Sequence, residues 1–267
     1  MVNRASGRPG FREWVDRQTD PGWGLMPLTH ISKGMGAEDV IRTGSVRATE
    51  CKVFEEPLAY FFYGRPAYRV GEEGVIKVEA ACPFCFIFDA TLIEKATFIH
   101  AFDTGAFERR LYSHTMADEM KVEDFSLETD NSRPNRIISA VFHSKDAYFD
   151  GDITKMVAPD QGAEAWEFHA RAYLHLLASR GRNEPDDRIC SIEVAFGEDV
   201  SLAGNLRAII VPHTLWGSEK KAPWLEKLQQ NGIEVSPYSF LPGRHPDYYH
   251  AQLEIAVREI YNRWEVL

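Results

Sequence analysis

The chain has few cysteines, no long apolar run and no excess of positive charge. Cys51, Cys82, Cys85 and Cys190 are the only four in 267 residues. That is too few and too scattered for a disulfide framework, so they read as thiols in a reducing compartment. No stretch approaches the ~20 apolar residues that a bilayer span needs. The opening MVNRASGRPGF lacks the apolar core of a signal peptide, and the expectation is a cytoplasmic protein. Lys and Arg number 30 against 40 Asp and Glu, a net charge of −10. This argues against a general nucleic-acid binder, whose non-specific affinity comes from neutralised phosphates, though not against a local basic cleft. Glycine loops of the Rossmann or P-loop type are missing, as are internal repeats, and His169 and His175 lack the spacing of a zincin helix.

What is present is globular: 44% hydrophobic and 12% aromatic residues, well outside the disordered class. Residues 1–24 are polar and rich in Gly, Pro and Arg, and read as an arm with a short helix near Phe11 to Arg17. The remainder, 25–267, reads as one domain. LMPLTHI is a short strand carrying His30. GAEDVIRT is a helix that Gly44 closes. VIKVEAAC, IISAVFH, ICSIEVAF, LRAIIVP and IEVSPYSF are strand candidates, and CFIFDATLIEKATFIHAFDTG reads as more strand and loop. Gly162 to Arg180 has helical spacing of Ala165, Phe168, Ala172 and Leu176, stopped by Gly181. WLEKLQQNG and the C-terminal PDYYHAQLEIAVREIYNRWEVL complete the helices. Short strands with few helices and no repeated βαβ units predict an α+β fold.

Three places can carry chemistry. The aromatic stretch Phe54 to Tyr68 (FEEPLAYFFYGRPAY) ends in Gly64-Arg65-Pro66. Proline holds Arg65 extended, so a stiff strand delivers one guanidinium, the group that pairs bidentately with phosphate. Taken alone, such a run fills a core. His30, with Ser32 beside it, is either a satisfied core histidine or a partner for a ribose hydroxyl. Glu193 alternates with Ile192 and Val194 on a strand next to the apolar LRAIIVP. A carboxylate on an inner strand needs a partner, whereas on a half-buried strand the polar side is usually just solvated.

Read together, LTHISKGMGAEDVIRTGSV, FEEPLAYFFYGRPAY and SIEVAFGEDVSLAGNLRAIIVP resemble the histidine, arginine and glutamate segments of the ADP-ribosyltransferase superfamily, in particular its DNA-targeting toxins. The similar blocks span His30–Tyr68 and Glu193–Pro212, about a quarter of the chain. Residues 71 to 160 have no counterpart and are expected to form an insertion. The resemblance implies a split, mostly antiparallel sheet with peripheral helices and an NAD-consuming activity. It implies that His30 and Ser32 hold the nicotinamide ribose, and that Tyr60 or Tyr63 stacks on the nicotinamide ring. Arg65 would contact phosphate or assist the acceptor, and Glu193 would support the positive charge that develops as nicotinamide leaves. The acceptor is left open among DNA, RNA, protein, nucleotide and water. A toxin or anti-phage role is implied with it, and an inhibiting antitoxin as a partner.

Two other classes stand beside this one. The first is a non-catalytic protein that uses the same cleft to bind a nucleotide or a partner. The second is a thiol or zinc protein built on Cys82-Pro-Phe-Cys85, with His100 and His114 as further ligands. Asp103-Thr104-Gly105 is a single aspartic-protease-like triplet without a second lobe, and reads as a turn that faces substrate. Gly243 to Pro246 reads as a loop before the last helix.

Overall fold

A computed structural model describes residues 10–67, 74–179, 187–216 and 222–267. Tyr68, the end of the aromatic stretch, and Gly181, the expected helix stop, lie outside these residues, as does most of the loop before Ile189.

The first helix, α1 (Phe11–Asp16), buries Phe11, Trp14 and Val15. The stretch expected to form an arm therefore packs into the core from residue 11 onward, with Phe11 edge-on to Tyr173. Strand β1 (Leu28–Lys33) runs straight into α2 (Gly34–Thr43), which Gly44 caps at φ 70° as expected. Two short strands, β2 (Ser45–Val46) and β3 (Thr49–Cys51), precede β4 (Glu56–Tyr63), the long aromatic strand. Next come β5 (Pro83–Phe88), β6 (Phe98–His100) and the short α3 (Thr104–Glu108).

Helices α4 (Arg133–Val141), α5 (Lys145–Asp150), α6 (Pro159–Gly162) and α7 (Phe168–Ala178) fill the centre of the sequence. Strands β7 (Glu193–Phe196), β8 (Val200–Ser201) and β9 (Leu206–Pro212) follow. The chain closes with α8 (Pro223–Gln230), β10 (Glu234–Tyr238) and α9 (Pro246–Arg263).

The fold is α+β with a mostly antiparallel sheet. Its order is β10-β9-β5-β1-β4-β7-β6, with β3 also paired to β4, and only β9 and β10 run parallel. The join in the middle is short. β1 pairs with β5 over six residues and β4 with β7 over four, but β1 and β4 meet only at Leu28–Tyr63 and Thr29–Phe62. Beyond Thr29 the two strands share no further residue pairs, so this two-pair join is a narrow seam within one continuous sheet.

Three expectations change. IISAVFH is helical, in α4, because Pro134 starts the turn and Pro134, Ile137, Ile138 and Val141 bury one face at helical spacing. VIKVEAAC makes one bridge, Ile76 to Arg244, and then a 3-10 turn at Glu79–Ala81. The helix expected from Gly162 starts only at Phe168, whose side chain is exposed, and α6 is a separate turn. Within the stretch expected to be an insertion, β5 lies at the centre of the sheet.

Candidate functional site

Opposed residues on antiparallel strands share a face, so register decides which side chains can meet. Phe62 pairs with Glu193, which pairs with His100; Tyr60 pairs with Ala195, which pairs with Phe98. One face therefore carries two rows across β4, β7 and β6: Phe62–Glu193–His100 and Tyr60–Ala195–Phe98. Thr29, opposite Phe62, belongs to this face. His30 and Ser32 point to the other face, where His30 packs against Phe61 and Phe86.

Glu193 is buried, and both its oxygens accept from one residue. Thr104 Oγ1 donates to Oε1 at 2.6 Å and Thr104 N to Oε2 at 3.3 Å. Asp103 fixes that corner by capping α3, accepting from Ala106 N at 2.8 Å. Tyr60, half-buried, donates its hydroxyl to Cys51 Sγ at 2.7 Å. Burial first, then this bond, then the nearby charge of Glu193 push the phenol well above its ordinary range, so it stays protonated. A small apolar patch of Cys51, Leu58, Ala195, Phe54 and Phe98 floors this corner. His100 lies tilted against Phe54 (ring centroids 5.3 Å apart), and burial lowers its pKa to about 4. His100 is therefore a neutral imidazole across from Glu193.

His30 spans the seam. Its Nδ1 lies 2.8 Å from the Tyr60 carbonyl. A carbonyl only accepts, so Nδ1 carries the proton and Nε2 presents a lone pair. Burial lowers the His30 pKa, partly offset by that bond, which keeps the ring neutral.

Tyr63 and Arg65 lie elsewhere. Tyr63 is fully buried; its hydroxyl donates to Asn135 Oδ1 (3.0 Å) and accepts from Met26 N (3.0 Å). Of the two tyrosines, only Tyr60 is in a position to meet a ligand. Arg65 follows the left-handed Gly64 (φ 69°) and is 2% exposed, its guanidinium 5.9 Å from the Tyr148 ring centroid. The expected anion-facing cation is thus packed inside. Tyr148 links this corner to the site strand, donating to the Tyr63 carbonyl (2.7 Å) and accepting from Ile192 N (3.2 Å).

Cys82 and Cys85 do not form a centre. Residues three apart along an extended strand have Cα atoms about 10 Å apart, beyond disulfide reach. Both sulfurs are buried free thiols, and burial pushes Cys82 up to about 11 and Cys85 further. Among the described residues no group of three or more His, Cys, Asp or Glu could hold a metal. None of their helices is long and apolar enough to cross a membrane.

The large groove lies off the Glu193 corner. About 940 Å³ open between α2 and α8, lined by Met35, Ile41, Phe84, Leu206, Trp224 and Leu228 among others. Phe84 is the register partner of Ser32, so the groove begins beside Ser32 on the His30 face. Register therefore brings Tyr60 and Glu193 together, sets His30 at the seam with Ser32 beyond it, and separates Tyr63 and Arg65. Thr104, His100, Asp103 and Cys51 join the site without having been expected there as ligand-facing residues, apart from the turn at Asp103-Thr104.

No family model matches the chain, and neither a curated protein nor a solved structure matches it.

Proposed function

We propose that the protein consumes NAD, cleaving the nicotinamide–ribose bond with an ADP-ribosyltransferase-like split sheet and passing ADP-ribose to an acceptor or to water. The observation that carries this reading is the seam. β1 and β4 share only two residue pairs, and one neutral histidine, one half-buried tyrosine and one buried, doubly hydrogen-bonded carboxylate lie on the strands beside it.

The chemistry suits those groups. As nicotinamide leaves, positive charge grows on the ribose, and a preorganised carboxylate of low solvent exposure stabilises it more strongly than water would. Glu193 supplies that charge. The Tyr60 ring offers a flat surface for nicotinamide, and His30, from the opposite face, holds the Tyr60 backbone carbonyl through Nδ1. Arg65 holds the turn after β4 through Tyr148 in this reading and does not touch phosphate. The acceptor, the toxin or anti-phage role and an antitoxin partner remain extensions of the sequence resemblance.

A second reading is favoured by one feature: the 940 Å³ groove lacks Glu193, as a non-catalytic binding protein would allow. Incubation with NAD separates the two. The catalytic reading predicts nicotinamide release by wild type and its loss, by a factor of a hundred or more, in Glu193→Gln (about 3 kcal/mol of transition-state stabilisation). No release from wild type, or equal release from the variant, leaves the binding reading.

A further inference from the structure

We infer that Thr104 is the positioning residue of the Glu193 carboxylate, an assignment that rests on reading Glu193 as the catalytic carboxylate. Thr104 is 1% exposed and lies 89 residues from Glu193 in sequence, yet it gives that side chain two donors, one to each oxygen. Two donors from one rigid residue fix the plane of a carboxylate as well as its position.

The support for Thr104 is itself built in. Asp103 caps α3 through Ala106 N, so the backbone that presents Thr104 N and Oγ1 does not swing with the loop. Across the sheet His100 is a neutral imidazole tilted against Phe54 and Phe98, and Tyr60 gives its proton to Cys51. Donors to the ionised form favour ionisation. The two Thr104 donors therefore favour the charged form of Glu193 as well as fixing its orientation.

The test uses the full chain carrying carbon-13-labelled glutamate side chains, with Glu193→Gln to assign the Glu193 carboxyl signal. The Glu193 titration and nicotinamide release are followed in wild type, Thr104→Val and Thr104→Ser, each checked for a wild-type melting profile. Valine keeps the shape but loses the hydroxyl. It should move the Glu193 titration, and the acid limb of the rate profile with it, upward by roughly one pH unit or more, as expected for losing one hydrogen bond to a charge. Serine keeps the hydroxyl and should restore both to within about twofold of wild type. A Glu193 titration that does not move in Thr104→Val, or a serine variant as impaired as valine, overturns the assignment. Should wild type release no nicotinamide, the NAD reading fails by itself while the carboxyl titration still decides what Thr104 does.

Discussion

His100 and Tyr60 illustrate how much a single side chain here depends on its neighbours. His100 titrates near 4 in the folded protein because it is buried, against an ordinary 6.5. The unfolded chain therefore takes up the proton first, and this histidine's contribution to stability is lost as pH falls from about 6.5 towards 4. Between pH 7 and pH 5 the loss should be about 2 kcal/mol. Urea unfolding at the two pH values should show it in wild type, while His100→Phe, which keeps a ring against Phe54 and Phe98, should lack that share of the slope. At Tyr60 the ring and the hydroxyl have separate duties. Tyr60→Phe loses the bond to Cys51 but keeps the stacking surface, so nicotinamide release should stay within a few-fold; Tyr60→Ala should lose about tenfold or more, the worth of one aromatic stack. Glu193 and Tyr60 were legible in the sequence as an acid and an aromatic on strands. Thr104 was not, because its partner is 89 residues away and nothing local marks a threonine as facing one glutamate. Its only trace was the turn-like Asp103-Thr104-Gly105, which places an N-cap directly before it.

Among the elements, the strands flanking the seam were readable and the middle of the chain was not. β4, β7 and β9 announce themselves through aromatic or β-branched runs bounded by turn residues. IISAVFH has the same composition, and its β-branched content masked the helical spacing of Pro134, Ile137, Ile138 and Val141; tertiary burial of that face decides for helix. β5, by contrast, was legible as strand in CFIF, an apolar run because the strand is covered on both sides. The turn that ends β4 is the element most sensitive to change. Gly64 holds φ 69°, and a Cβ there would sit 2.6 Å from the Met26 side chain. Gly64→Ala should cost about 1–2 kcal/mol, seen as a lower urea midpoint. It should also weaken nicotinamide release, because the same turn sets Arg65 against Tyr148 and Tyr148 against Ile192 N, one residue before Glu193.

At the scale of the whole molecule, one sheet narrows to a two-pair seam, with a carboxylate corner on one face and a broad apolar groove beginning on the other. The antiparallel α+β class could be read from short strands without βαβ repeats. The place where β1 and β4 part could not, because strand composition does not say how far two strands stay paired. His30 belongs to the groove's face by register and touches the Tyr60 strand through its ring nitrogen. It is therefore the one predicted residue that connects the two sides. The central claim is that NAD lies in this seam. The most direct measurement is a crystal structure of Glu193→Gln, which should bind without turning over, grown with NAD. The account predicts nicotinamide against the Tyr60 ring and the adjoining ribose beside residue 193. NAD bound wholly within the α2–α8 groove, away from Tyr60, or no NAD bound at saturating concentration, would contradict it.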